Sequence, residues 1–394
     1  MIRIAVAILF VLHGLIHLLG FAKAFGYADL PLLSQTASQP IGVLWLTAAL
    51  LCLAAAAALF LTPRWWWVVG ALAVLTSQAV IVTAWPDAML GTVANLLLLV
   101  AVLYGFASRG PLSLRAEYEH RLEHAWPWTA ERNVTDADLA PLPDPVQRYL
   151  RRAEVVGRPR VNDFRAMWTG RIRSGPDSGW MTFTADQLNI LDTPRRFFLM
   201  DARMKGVPVD VLHAFDETGA SMRVRLLSVR SMVDARGAEF THAETATLFN
   251  DLCVCAPSAL VFADVTWQPI DAHRAVGHFT LGVNTITAEL KFNDDGDLVD
   301  FVSEDRAASS PDGSFTRMRW TTPLRDYARV GPARVPTKAE TRWHPDSGAW
   351  TYGEFELTSL AYNVANRERA IGRPPPSAVI GARTLAASEP GDRR

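Results

Sequence analysis

The chain has 394 residues, 49% hydrophobic and 20% charged, and its 39 basic and 40 acidic side chains give a formal net charge of −1. That balance lacks the basic footprint of a nucleic-acid binder. Its three cysteines make neither a disulfide framework nor a zinc cage: Cys52 lies in an apolar run, and Cys253 and Cys255 are too close for an ordinary bridge and lack the spacer of a redox pair.

In chain order, four long apolar runs come first, at 2–21, 41–61, 65–85 and 89–106. Each approaches the roughly 20 residues that a helix needs to cross a ~30 Å hydrocarbon core. Only a helix or a closed barrel satisfies every backbone group in lipid, so residues 1–108 read as a four-span transmembrane bundle. Arg3, Arg64, Arg109 and Arg115 fall on one side of that path, while Lys23 stands on the other with Asp29 and Asp87. The excess of basic residues places the termini in the cytoplasm. Ala22-Lys23-Ala24 resembles a signal-peptide cleavage site; cleavage there leaves three spans and the same side for the C-terminal part.

Polar residues inside the runs are expensive in lipid. His13 and His17, spaced i,i+4, share one helix face. Gln78 and Asn95 fall at a similar depth on the third and fourth helices, where Ser77 and Thr92 can join them. One reading is hydrogen bonding that fixes the register of the bundle. The other is a redox or proton-handling site built on the His13/His17 pair. Two histidines one turn apart cannot ligate opposite faces of a haem iron, and Asp87 lies too far from His13 to complete a metal site. No cofactor is therefore assigned.

Residues 109–158 read as amphipathic juxtamembrane helices and a linker. Leu114, Tyr118, Leu122 and Ala125 recur at helical spacing between charged residues, which suits a helix near the headgroups or against the next domain. His120 and His124 on its polar side read as solvated. Asp144-Pro145 caps a helix over 146–155, with Val146, Tyr149, Leu150 and Ala153 on one side and the basic Arg148, Arg151 and Arg152 elsewhere.

From residue 159 to 372 the period changes to two. Ile286, Ala288, Leu290 and Phe292 alternate with polar neighbours, as do Met222, Val224 and Leu226. Turn sequences such as 216–219 and 294–296 separate these runs, so the strands form an antiparallel meander rather than βαβ units. A helical stretch over 241–252 interrupts it. The expected fold is α+β: a four-helix transmembrane bundle, then a mostly antiparallel curved β-sheet with one or two covering helices. Residues 373–394, with three consecutive prolines, read as a disordered tail.

No G-x-S-x-G, G-x-G-x-x-G, P-loop or H-E-x-x-H motif is present, so no catalytic residue is assigned and the reading leans away from an enzyme. The stretch 293–297 reads as a hairpin turn, since its spacing fails the calcium-loop pattern. The domain is rich in tryptophan. Trp168, Trp180, Phe198, Leu248, Leu252 and Trp267 are the candidates to line a cleft between sheet and helix that takes a lipid or another apolar small molecule.

The segments 13–26, beginning His13-Gly14-Leu15-Ile16-His17, and 142–152, beginning Leu142-Pro143-Asp144-Pro145, resemble a bacterial membrane-protein family of unknown function, as does Val233-Asp234-Ala235-Arg236-Gly237. The resemblance implies a multi-pass protein of the bacterial inner membrane and brings no activity or catalytic residue. The His-Gly-Leu step of the first span is similar to DoxX-like four-helix proteins. The β-rich part resembles the lipoprotein-carrier half-barrel, a fold usually found outside the cytoplasm, whereas the flanking arginines place this domain inside.

Fusions after Gly110 in a bacterial host test the topology. A green fluorescent protein there is expected to fluoresce and an alkaline phosphatase to stay inactive; the reverse result overturns the cytoplasmic placement.

Overall fold

The computed structural model describes residues 2–31, 33–35, 38–123, 132–309 and 315–364; His124, Ala125 and the tail at 373–394 lie outside them. Four helices are long and apolar enough to cross a membrane. They comprise α1 (Ile2–Ala24), α2 (Gln39–Leu61), α3 (Trp66–Thr83) and, after the short α4 (Trp85–Ala88), α5 (Gly91–Arg109). Their interior is built from small residues: Ala48, Ala49, Ala55 and Ala73 are fully buried, which lets the backbones approach closely. Gly20 has the same role, since a Cβ there would lie 2.2 Å from the Trp45 ring.

Helix α6 (Leu114–Glu123) follows α5 almost directly. Its apolar stripe of Leu114, Tyr118 and Leu122 is buried with Leu188, Ile190, Phe197, Leu199, Leu212 and Ala214 of the sheet, so it packs against the next domain. Beyond the short α7 (Asp136–Leu139), α8 spans Asp144–Arg152. Asp144 is its first helical residue, with Pro143 at the cap, one position earlier than the Asp-Pro step suggests. Val146, Tyr149 and Leu150 are fully buried in the main core, so the apolar side of α8 packs on the sheet.

The first half of the sheet is a meander of β1 (Asp163–Ile172), β2 (Met181–Ile190), β3 (Arg195–Met204), β4 (Val207–Asp216), β5 (Gly219–Leu226) and β6 (Arg230–Arg236). Helix α9 (Ala238–Cys255) and a 3-10 turn (Pro257–Val261) interrupt it. The second half holds β7 (Val265–Asp271), β8 (Arg274–Leu281), β9 (Asn284–Phe292), β10 (Leu298–Ser303), β11 (Ala307–Ser309), β12 (Phe315–Arg317), β13 (Trp320–Thr321), β14 (Leu324–Val330), β15 (Ala333–Trp343) and β16 (Trp350–Tyr362). Fourteen strands form one antiparallel sheet in the order β6-β5-β4-β3-β2-β1-β16-β15-β13-β10-β9-β8-β7, with β14 also on β15; β11 and β12 pair separately. The last strand thus pairs with the first and joins the halves, Phe164 opposite Tyr362. Residues 293–297 form the hairpin turn between β9 and β10, with Gly296 at φ 89°.

A sheet this wide curls, and α9 fills its concave face while α6 covers part of the convex one. Phe249 of α9 stacks on Phe279 and meets Phe301 and Trp267. Gly277 leaves room for that ring, since a Cβ there would lie 2.8 Å from it. At the C-terminal end of α9, where carbonyls lack helical partners, the Tyr149 hydroxyl donates to the Cys253 carbonyl at 2.6 Å and the Tyr362 hydroxyl to that of Cys255 at 2.5 Å. Tyr149→Phe removes one of these buried bonds, and denaturant unfolding is expected to show a loss of about 1–2 kcal/mol.

Candidate functional site

Strand registry places residues in rows across the concave face of the first half. The row nearest the helix-covered end holds Asn189, Arg196, Phe215 and Ala220; the next holds Gln187, Phe198, His213 and Met222. Then come Ala185, Met200, Val211 and Val224, and after them Phe183, Ala202 and Val209. Polar groups are therefore confined to the first two rows, and the rows toward the β1–β2, β3–β4 and β5–β6 turns are apolar.

Between these rows, α9 and β15 lies a cavity of about 830 Å³. Its apolar wall includes Met200, Val211, Met222, Val224, Val233 and Trp343. Exposed residues of the β1–β2 and β15–β16 turns, Ser174, Pro176 and Ser347, also line it and mark its mouth.

The polar end carries two buried acids from α9. Asp251 Oδ2 accepts from Arg196 Nε at 2.7 Å, Gln187 Nε2 at 2.8 Å and Asn189 Nδ2 at 3.0 Å. Trp168 Nε1 donates to Gln187 Oε1 at 2.9 Å, which orients that amide. Glu244 pairs with the buried Arg306, whose guanidinium lies 5.2 Å over the Trp320 ring and 5.9 Å over that of Trp343. His213 Nδ1 stands 3.9 Å from Glu244. Burial pushes the Glu244 carboxyl up, but Arg306, His213 and Arg196 outweigh it and bring it down to about 2. Burial dominates at His213 and, against the pull of Glu244, lowers the imidazole to about 4. At neutral pH this end thus holds two matched ion pairs and a neutral imidazole, and it closes the cavity without a net charge.

Of the six residues singled out for a cleft, Trp168 and Phe198 line the cavity. Leu248 and Leu252 are buried in the core, and Trp267 packs on Phe249. Trp180 instead meets the guanidinium groups of Arg171 at 4.6 Å and Arg173 at 4.7 Å from its ring. Sequence reasoning missed Gln187, Asn189, Arg196, His213, Glu244, Asp251 and Arg306. A signal existed for two of them: Glu244 and Asp251 stand seven apart, two turns, on a helix that also carries Phe240, Ala243, Leu248 and Leu252.

The polar residues of the helical bundle meet in one chain of hydrogen bonds. His13 Nε2 lies 2.9 Å and His17 Nε2 2.7 Å from Ser77 Oγ. Ser77 donates to Asn95 Oδ1 at 3.0 Å, Asn95 Nδ2 to Gln78 Oε1 at 3.0 Å, and Gln78 Nε2 to Thr92 Oγ1 at 3.2 Å. The single Ser77 proton goes to Asn95, so both imidazoles donate from Nε2. His17, Gln78 and Asn95, which sequence depth placed at one level, and His13, one turn away on α1, are joined through Ser77. Among the described residues no three His, Cys, Asp or Glu side chains converge to hold a metal.

The model of a family of unknown function, DUF6544, matches residues 132–355. No curated protein matches the sequence. Solved structures similar to the chain include a DUF1329 family protein from Desulfovibrio piger, with 13% identity, TM-score 0.34 and coverage of 56% of this chain and 92% of that one. A LolA superfamily protein from Nitrosomonas europaea shows 11% identity and TM-score 0.32 over 55% of this chain and 93% of that one. A domain described as an outer membrane lipoprotein-sorting protein, from Vibrio parahaemolyticus, shows 9% identity and TM-score 0.32 over 51% and 86%. None reaches a score from which a shared mechanism follows.

The buried charges make stability sensitive to acid. His213 and Glu244 both have folded-state pKa values below their ordinary ones, so at these two groups the unfolded chain takes up the proton first and stability falls as pH falls. The His213 contribution is lost from about 6.5 down to about 4 and that of Glu244 from about 4.5 down to about 2. Melting curves of His213→Gln are expected to lose the upper part of this slope. Glu244→Gln leaves Arg306 buried without its counter-charge and is expected to lower stability by about 3–5 kcal/mol.

Proposed function

We propose that this chain, which belongs to the DUF6544 family of unknown function, is a membrane-tethered binding protein whose concave sheet takes up a lipid or another apolar small molecule. The carrying observation is the cavity under α9. Its volume of about 830 Å³ falls within the ~300–1,000 Å³ of small-molecule sites, and its rows are apolar except at the charge-neutral end. Trp168 and Phe198 stand at the junction of the polar and apolar rows, with Trp168 tied to Gln187 and so fixed in orientation.

On this reading the four apolar helices cross the bacterial inner membrane as a unit over 1–108, and residues 109–158 link it to the β-rich domain at 159–372, with α6 and α8 packed on the sheet. The arginines flanking the spans put the domain on the cytoplasmic side. The hydrogen-bond chain from His13 and His17 to Thr92 fastens α1, α3 and α5 in register.

Native mass spectrometry of the full-length protein released from lipid nanodiscs tests the binding reading. A retained lipid, or one taken up when added, is the expected result. Val211→Trp places an indole in the middle apolar row and is expected to cut occupancy at least tenfold (~1.4 kcal/mol), while the melting curve reports that the variant is folded. A wild-type protein that never holds a lipid counts decisively against the reading.

A further inference from the structure

The tips of the β3–β4 and β5–β6 hairpins present an apolar surface that none of the described residues covers. Met204 is 43% exposed, Leu227 46%, Val229 72% and Met232 53%. Leu227 holds φ 55° and Ser228 φ 61°, a turn in which Asn and Gly are the low-strain residues. A leucine there is disfavoured by its own backbone and is not buried within the chain, so the local fold supplies no reason for it.

The tips also stand at the level where the last apolar helix ends. Arg225 Nη1 donates to the Leu112 carbonyl at 2.9 Å, and Leu112 itself is 76% exposed. Arg115 pairs with Asp201 of β3. Arg64, between α2 and α3, lies 3.5 Å from Glu119 of α6. Arg203 and Asp210 come within electrostatic reach of Tyr104 inside α5. Arg203, Lys205 and Arg230 are exposed at the tips, whereas the neighbouring Asp201 and Asp210 are engaged by Arg115 and by the Ser228 hydroxyl.

We propose that the two tips dock on the bilayer surface, with Met204, Leu227, Val229 and Met232 at the headgroup–acyl boundary and Arg203, Lys205 and Arg230 against anionic phospholipid headgroups. Apolar residues rimmed by basic ones bind an anionic interface in this way. The docking rests on the reading that the four helices cross a bilayer, which sets the height of the tips. It deepens the binding reading, because the apolar rows of the cavity run toward this same rim of the sheet. A lipid can then pass between bilayer and cavity without its chains crossing bulk water.

The test uses the full chain in nanodiscs of phosphatidylglycerol and phosphatidylcholine. Cys52, Cys253 and Cys255 are all buried, so a single introduced thiol can be labelled with an environment-sensitive fluorophore. Val229→Cys reports on the tip. Val283→Cys is the control: Val283 is 99% exposed and neighbours the β4–β5 turn at the opposite end of the sheet. The label at 229 is expected to shift to shorter wavelength and to be quenched by spin-labelled lipid chains several-fold more than the label at 283. The shift is expected to weaken in pure phosphatidylcholine and at high salt. Leu227→Asn combined with Arg230→Gln is expected to reduce the quenching without lowering the melting temperature, since asparagine suits the turn.

A label at 229 as wet and unquenched as that at 283, in discs that carry the protein, overturns the docking. So does a label that is shielded but not quenched by lipid, which indicates a protein cover instead. A chain that fails to enter the discs overturns the spanning reading and the docking together. Quenching at 229 without any lipid in the mass spectrum overturns the cavity reading alone.

Discussion

Two acids on one helix hold the curved sheet together as a container. Glu244 and Asp251 enter the concave face from α9, and each meets an arginine from a different half of the sheet: Arg306 follows β10 and Arg196 lies on β3. Removing two charges from water is costly unless the partner geometry is good and the remaining lone pairs are satisfied. Gln187 and Asn189 meet that requirement for Asp251, and the rings of Trp320 and Trp343 flank the Arg306 guanidinium. The helix therefore has one position and one rotation in which its charges are matched. A purely apolar helix face would slide on an apolar sheet with little penalty. The cavity exists because α9 is held over one end of the rows and not over the other.

The same arrangement explains why so polar a set of side chains lines an apolar cavity without making it a charged site. Arg196 and Arg306 are each neutralised by a carboxylate, and burial keeps His213 uncharged. A molecule in the cavity meets methionine, valine and tryptophan along its length and a neutral hydrogen-bonding end beyond them. An extended apolar ligand suits such a gradient better than an ionic substrate does, because an ionic one would have to break a matched pair.

Continuity between α5 and α6 makes the helical bundle and the sheet act on each other. Leu114, Tyr118 and Leu122 seat α6 on the convex side of β2, β3 and β4, so the strands that form the cavity wall are the ones tied to the bundle. Glu117 reinforces that seat through Arg121 at 3.0 Å and through Arg223 of β5. In the bundle, close packing of small residues and the bonds radiating from Ser77 leave α1, α3 and α5 little freedom to rotate. The sheet is carried on a support whose own register is held by hydrogen bonds.

What sequence alone determined lies where the physics is local. Four apolar runs of near-spanning length, period-two alternation and Asp-Gly turns each report on a few neighbouring residues, so the helices, the antiparallel sheet and the helix across it were legible. The shared level of His17, Gln78 and Asn95 was legible too, since a helix rises by a constant ~1.5 Å per residue; that Ser77 joins them depends on helix rotation, which the runs do not encode. The candidate site was legible only at Trp168 and Phe198. Its polar end joins Asp251 to residues 55, 62 and 64 positions away, and only strand registry and the placement of α9 bring these together. Tertiary packing likewise decided that Leu248, Leu252 and Trp267 belong to the core and that Trp180 packs against Arg171 and Arg173, because the curl of a wide sheet determines which buried faces touch each other and which enclose space.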